Sequence, residues 1–327
     1  RLASRQGSDR GAERVLLLMN NIVIVTTVDV FRSQLIEAFS HHRPDIPLVL
    51  PDDAAAGEAD VAVCWFPEAG TVRRFPKLKL IHSVAAGVDH LGKELLDSGI
   101  DVCRIVDSDQ KQGMYEYILW AVLYFHRNFD WVIKNARDKT WFRYPQVSAG
   151  KRRIGLMGLG EIGRFVGVKL SEMGYRVNGW SRSPKSIPGV ASFYGHEGLD
   201  DFLSQTDILI NLLPLTADTQ GILCQQLFKK LPQGASLINC GRGLHMVPED
   251  LVACVASGHL QGAVIDVFQT EPLPAGDPLW TTDGILVTPH MASAASFEAI
   301  VKQVGANIDL LRAGKRLNKI VNPALGY

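Results

Sequence analysis

Runs of consecutive apolar residues alternate with segments of helical period along most of the chain. Ile22–Thr27, Val61–Trp65 and Leu80–Val84 read as strands, and Phe31–Phe39 repeats its apolar residues at helical spacing. Tyr115–Arg127, rich in Leu, Trp and Tyr, predicts a helix that continues through Asn128–Lys139. After the polar connection Arg143–Gly150 a second series follows: Arg153–Met157, Arg176–Trp180, Ile208–Leu212, Ser236–Cys240, Ala263–Val267 and Ile285–Thr288. Strands separated by helices predict parallel sheets with helical crossovers, an α/β fold. The last segment, Ala295–Gly314, sets Ile300, Val304, Ile308 and Leu311 on one helical face, which could pack on either half.

Composition narrows this picture. A length of 327 residues is near twice the usual domain size, so two domains are expected. With 46% apolar residues the chain has enough to build cores, which excludes an intrinsically disordered or collagen-like protein. The 34 basic and 34 acidic residues balance, which removes the bulk electrostatic case for a nucleic acid or an anionic membrane as partner. No apolar run approaches the roughly 20 residues that span a bilayer. The balance is uneven, however: Arg1, Arg5, Arg10 and Arg14 outnumber Asp9 and Glu13 ahead of Met19. Residues 1–18 therefore read as a leader or tag, with the natural product beginning at Met19 and slightly acidic. Five cysteines, odd in number and never spaced C-x-x-C, argue against a disulfide framework or a zinc ribbon. A reducing cytoplasmic compartment is the expectation, with no metal.

Candidate chemistry begins where the second series of strands begins. Arg153–Met157 runs into Gly158-Leu159-Gly160-Glu161-Ile162-Gly163, and Arg164–Met173 then has helical period. Strand, glycine loop and helix in that order suit a dinucleotide: the first glycine turns the chain and the second lets backbone approach a pyrophosphate. The third packs helix on strand, and the phosphates meet helix N-terminal amides. The next strand ends Trp180-Ser181-Arg182-Ser183, with Lys185 close by, where an NAD site usually carries a carboxylate for the ribose 2′-hydroxyl. A cation and hydroxyls there favour a 2′-phosphate, so NADP(H) is the expected cofactor, with NAD(H) weaker.

Three later strands end in polar groups: Asn239-Cys240-Gly241-Arg242-Gly243, Asp266 through Glu271 to Pro274, and Thr288-Pro289-His290-Met291-Ala292. Open α/β sheets bind ligands at the carboxyl ends of their strands, so Arg242, Asp266, Glu271 and His290 are expected to converge. With the glycine loop, "NCGRG", "DVFQTEPLP" and "TPHMA", joined by "AAGVDH" (Ala85–His90) and "NLLPLTADTQGIL" (Asn211–Leu223), the chain resembles the D-isomer-specific 2-hydroxyacid dehydrogenases from about Asn20 to Tyr327. It most resembles their glyoxylate/hydroxypyruvate reductase A branch, through "VCWFP", "QGMYEYILWAVLYFHRNFD", "WSRSPKSIPGV", "INLLPLT" and "PLW".

The resemblance implies two doubly wound parallel-sheet domains: a Rossmann cofactor domain, 118–290, inserted into a discontinuous flavodoxin-like substrate domain, 19–117 with 291–327. It implies a homodimer built on the cofactor domain and the 112–140 arm; Tyr115, Tyr117, Trp120 and Tyr124 read, as residues, as packing and dimer contacts. It also implies reduction of small 2-oxoacids, glyoxylate and hydroxypyruvate, with Arg242, Glu271 and His290 as the catalytic set. His290 would donate the proton, Glu271 would orient its ring, and Arg242 would hold carboxylate and carbonyl oxygens. The implied cofactor contacts are Gly158, Gly160, Glu161, Ile162, Gly163, Ser181, Arg182, Ser183, Lys185, Leu213, Pro214, Cys240, Arg242, Asp266 and His290. The implied substrate contacts are Trp65, the backbone of Ala86 and Gly87, Arg242 and His290, and Phe66, Trp141, Trp280 and Met291 are further candidate walls. The alternatives are a reductase for bulkier 2-oxoacids such as phenylpyruvate, and a non-catalytic dinucleotide-sensing protein.

Overall fold

In a computed structural model, residues 21–322 are described, and the apolar runs form two parallel sheets flanked by helices. The leader read over residues 1–18 and the start at Met19 lie outside the described residues. The described residues divide into two compact units, 21–107 with 295–322, and 108–294.

The first unit contains β1 (Ile22–Thr26), β2 (Leu48–Val49), β3 (Val61–Trp65), β4 (Leu80–Ser83) and β5 (Asp101–Cys103), in the order β2-β1-β3-β4-β5 with every pair parallel. Alternate side chains of a strand point to opposite faces, so the unbroken apolar runs supply two cores at once. Ile22, Ile24, Val61 and Val63 share one core with Ile300, Val301, Val304 and Ile308. Val23, Val25, Ala62 and Cys64 share the other with Phe75 and Leu95. The helix Phe297–Arg312 thus belongs to the first unit. Ser296 caps it by accepting from the Ala299 N–H at 3.1 Å, and Arg312 lies in its last turn, where a cation suits the helix dipole.

The second unit holds β6 (Arg153–Met157), β7 (Arg176–Ser181), β8 (Val190–Tyr194), β9 (Ile208–Asn211), β10 (Ala235–Asn239), β11 (Leu260–Ile265) and β12 (Ile285–Val287). Their order is β12-β11-β10-β9-β6-β7-β8, again all parallel. The chain winds outward from β6 to β8 and then returns to lay β9 on the other side of β6. The crevice at the carboxyl ends of β6 and β9 is therefore a topological switch point.

Two helix boundaries differ from the sequence pattern. The first helix of this unit starts at Ser108 and ends at His126, and it does not continue through Asn128–Lys139 as one rod. Asn128 takes φ 56°, a left-handed conformation that Asn tolerates better than most residues, and a separate helix, Phe129–Arg137, starts after it. All five cysteines are free, and no helix among the described residues is long and apolar enough to cross a membrane.

Candidate active site

The glycine loop joins β6 to the helix Glu161–Glu172. A β-carbon on Gly163 would lie 1.9 Å from the Gly158 carbonyl oxygen, so helix and loop touch at a contact only glycine allows. A β-carbon on Gly160 would meet nothing within 4 Å, and no side chain caps the helix there. The loop therefore leaves open space in front of a three-turn helix N-terminus, whose first amides lack intrahelical partners. That combination fits a dinucleotide pyrophosphate. Glu161 is exposed and paired with Lys111 at 3.8 Å, while Ile162 is half-buried. The Leu212 N–H donates to the Met157 carbonyl at 2.8 Å, which sets Leu213 and Pro214 beside the loop at the switch point.

At the end of β7 the buried Ser181 hydroxyl donates to the Ser183 carbonyl at 2.8 Å and so shapes a tight turn. Arg182, Ser183 and Lys185 are exposed around it, and no carboxylate stands among residues 181–187. The turn fits a ribose 2′-phosphate by charge and by its hydroxyls.

Arg242, Glu271 and His290 come together at the carboxyl ends of β10, β11 and β12. The Glu271 and Arg242 loops meet backbone to backbone: a β-carbon on Gly243 would lie 1.9 Å from the Phe268 carbonyl carbon. The Gln269 side-chain amide also donates to the Met246 carbonyl at 2.9 Å. Glu271 accepts from the Phe268 N–H at 2.9 Å through Oε1, and its Oε2 lies 2.7 Å from His290 Nδ1. His290 itself takes φ 49°, in the left-handed region that non-glycine residues rarely adopt.

The electrostatics follow from this pairing. The hydrogen bond to Glu271 raises the His290 pKa above the ordinary histidine value, against burial, with the Glu271 and Asp266 charges helping and Arg242 opposing. Burial disfavours the Glu271 carboxylate. The hydrogen bonds from His290 and the Phe268 N–H, with the charges of His290 and Arg242, outweigh it and lower the Glu271 pKa. An imidazolium beside a carboxylate, with a guanidinium within electrostatic reach, can give a proton and bind an anion. The His290 side chain is 44% exposed, and its outer ring nitrogen makes no hydrogen bond among the described residues.

Asp266 is buried, and it holds the histidine loop. Its Oδ1 accepts from the Thr288 hydroxyl at 2.7 Å and the Met291 N–H at 2.9 Å, and its Oδ2 accepts from the Ala292 N–H at 2.9 Å. Tyr117, read from sequence as a packing residue, also bonds the Thr288 hydroxyl, at 2.5 Å. Cys240 is buried at the end of β10, and burial pushes its thiol well above the ordinary range. It is thus a small apolar wall at neutral pH.

In the first unit, Ala86 and Gly87 lie half-buried in the loop after β4. The Ser83 hydroxyl shapes that loop, accepting from the Ala85 N–H at 3.0 Å and contacting the Gly87 carbonyl at 3.2 Å. Arg104 donates to the Ala86 carbonyl at 3.1 Å. Neither the Ala86 nor the Gly87 N–H makes a hydrogen bond among the described residues. Trp65 stacks in a ring cluster with Phe31, Phe66 and His90 at 4.6–5.8 Å. Among the other candidate walls, Trp141 is 99% exposed, and Trp280 and Met291 are exposed within the second unit.

Sequence reasoning passed over Asn211, Asn239 and His245, all fully buried. The one signal in the sequence is that Asn211 and Asn239 each close an apolar strand; the structure then sets them opposite one another in register.

A family model described as "D-isomer specific 2-hydroxyacid dehydrogenase, NAD binding domain" matches residues 119–292. Glyoxylate/hydroxypyruvate reductase A of Serratia proteamaculans is 39% identical over 275 residues, covering 82% of this chain and 88% of that protein. A D-isomer specific 2-hydroxyacid dehydrogenase family protein from Klebsiella pneumoniae 342 superposes with a TM-score of 0.89 at 49% identity, covering 93% and 98% of the two chains. An NADPH-dependent glyoxylate/hydroxypyruvate reductase from Sinorhizobium meliloti, solved with NADP and sulfate, gives a TM-score of 0.85 at 32% identity, covering 94% and 100%.

Proposed function

The chain belongs to the D-isomer specific 2-hydroxyacid dehydrogenase family, in its glyoxylate/hydroxypyruvate reductase A branch, and on that premise we propose that it reduces glyoxylate and hydroxypyruvate with NADPH. The observation that carries this reading is the His290–Glu271 pair at 2.7 Å, with Arg242 near enough to act on both charges.

The reduced dinucleotide, when bound, supplies the hydride. The backbone of Gly158, Gly160, Glu161, Ile162 and Gly163 would hold its pyrophosphate, and Ser181, Arg182, Ser183 and Lys185 its 2′-phosphate. Leu213, Pro214, Cys240 and Asp266 would line the nicotinamide end, where Arg242 and His290 also stand. Arg242 presents a planar fork that matches a carboxylate and the neighbouring carbonyl oxygen, and its charge draws electron density from the ketone. His290, protonated, gives its proton from the outer ring nitrogen to the developing alkoxide. Glu271 keeps that imidazolium charged and aimed. Within the first unit, the Ala86 and Gly87 N–H groups have no hydrogen-bond partner among the described residues and suit an anion by charge, and Trp65 stands in an apolar ring cluster.

The same reading includes a homodimer. The helix Phe129–Arg137 buries none of its residues, and it leaves Phe129, Trp131, Val132 and Ile133 exposed. An apolar face of that size on the 112–140 arm supports a second copy as its cover. Five free thiols support a reducing, cytoplasmic setting.

The experiment is NADPH oxidation against glyoxylate, hydroxypyruvate, pyruvate and phenylpyruvate, repeated with NADH and with the Arg182→Ala variant. Glyoxylate and hydroxypyruvate should give the highest kcat/KM. Loss of Arg182 should raise the KM for NADPH on the order of tenfold or more while barely changing that for NADH. Equal changes for the two dinucleotides would contradict the assignment of the β7 turn. Preference for phenylpyruvate would contradict the small-substrate reading, and dinucleotide binding without turnover would favour a sensing protein.

A further inference from the structure

Behind the candidate active site lies a polar cluster that touches none of the reacting groups directly. Asn211, Asn239 and His245 are each 0% exposed. Asn211 Nδ2 donates to Asn239 Oδ1 at 2.9 Å and lies 3.0 Å from His245 Nδ1. Asn239 Oδ1 also accepts from the Gly241 N–H at 3.2 Å, and Asn211 Oδ1 accepts from the Leu213 N–H at 3.3 Å. The Arg242 N–H donates to His245 Nδ1 at 2.9 Å.

Those contacts settle the protonation of His245. A backbone N–H can only donate, so Nδ1 must offer its lone pair, and the ring proton sits on Nε2. Nε2 lies 3.2 Å from the carbonyl oxygen of Pro214, the natural acceptor for that proton. One neutral imidazole thus clamps two loops: the main chain of Arg242 on one side and that of Pro214 on the other.

We infer that His245 is a positioning residue for the reaction, holding the Arg242 backbone through its Nδ1 acceptor so that the guanidinium meets the 2-oxoacid in one orientation. Without that acceptor the Arg242 N–H is left without its buried partner, and the loop must shift to satisfy it. A displacement of about 1 Å at a binding fork is enough to cost on the order of 100-fold in rate. The surroundings leave little slack, because a β-carbon on Gly241 would lie 2.6 Å from Asn211 Nδ2 and 2.7 Å from His245 Nδ1. This inference rests on the reading of Arg242 as the cation that binds the oxoacid.

Two polar replacements separate the two ends of the ring. The side-chain oxygen of His245→Asn can stand near the Nδ1 position and accept from Arg242, whereas His245→Gln can reach Pro214 with its amide but offers no acceptor at Nδ1. The measurements are kcat/KM for glyoxylate with NADPH, and the dissociation constant of oxalate, a 2-oxoacid mimic, on the NADP⁺-loaded protein. His245→Gln should lose on the order of 10- to 100-fold in kcat/KM and weaken oxalate comparably, while His245→Asn stays within about threefold of the parent. Equal values for the two variants, whether both near the parent or both reduced, would overturn the inference, since a general packing role does not distinguish acceptor from donor. Arg242→Ala is measured alongside. If it turns over glyoxylate like the parent, the reading of Arg242 fails and the inference with it. If Arg242→Ala is inactive and the two His245 variants are equal, only the inference fails.

Discussion

Turnover of glyoxylate should fall by about 10²–10⁴-fold in His290→Gln, the range that positioned acid–base groups typically contribute, while NADPH still binds. Glutamine preserves a polar side chain of similar reach but carries no proton that it can release at neutral pH. The loop that bears His290 should survive the change, because Asp266 anchors it through Thr288, Met291 and Ala292. Activity and binding are therefore expected to separate: stopped-flow hydride transfer collapses, and the NADPH dissociation constant moves by no more than a few-fold. Turnover near that of the parent would remove His290 from the chemistry, and the Glu271 contact would then be only a loop tie.

Arg242→Ala should lower kcat/KM for glyoxylate by on the order of 10²–10³-fold, as loss of a preorganised donor to a developing oxyanion does. A guanidinium that binds the carboxylate and draws charge from the carbonyl, as proposed, would act in both ground and transition states, so KM should rise and kcat should fall together. Arg242→Lys keeps the charge but loses the planar fork, and should recover only part of the loss. Steady-state kinetics for both variants, with oxalate affinity as a check, measure this. A rise in KM alone, with kcat intact, would confine Arg242 to holding the carboxylate.

Much of this site could be read along the chain because its parts are local. Gly158–Gly163 turns a strand into a helix within six residues, and Arg242, Glu271 and His290 each follow a strand whose apolar run marks its end. Parallel order then carries every strand end to one edge of a sheet, so local endings become one site. What escaped the sequence depends on tertiary context. Strands β5 and β8 are edge strands with exposed positions, and they lack the continuous apolar runs of β1, β9 and β10. Asn128 looks like any polar residue in a helical pattern until its backbone turns left-handed. The Asn211–Asn239–His245 cluster joins residues of two strands and a later turn, and no spacing rule connects them. Asp266 reads from sequence as a cofactor contact, and its buried oxygens also tie down the histidine loop.

The most direct test of the central claim is the pH dependence of glyoxylate reduction under conditions where chemistry limits the rate. Glu271 raises the His290 pKa, so a proton donor at His290 would be filled at low pH and lost as pH rises through that raised value. From about pH 6 to about 9, kcat/KM should hold a plateau and then fall tenfold per pH unit, with the bend above the ordinary histidine value of about 6.5. Oxidation of the 2-hydroxyacid should show the opposite limb. In Glu271→Gln the bend should move to lower pH, because the carboxylate that stabilises the imidazolium is gone. A flat reductive profile, or a bend that stays in place when Glu271 is neutralised, would contradict proton donation by a His290–Glu271 pair.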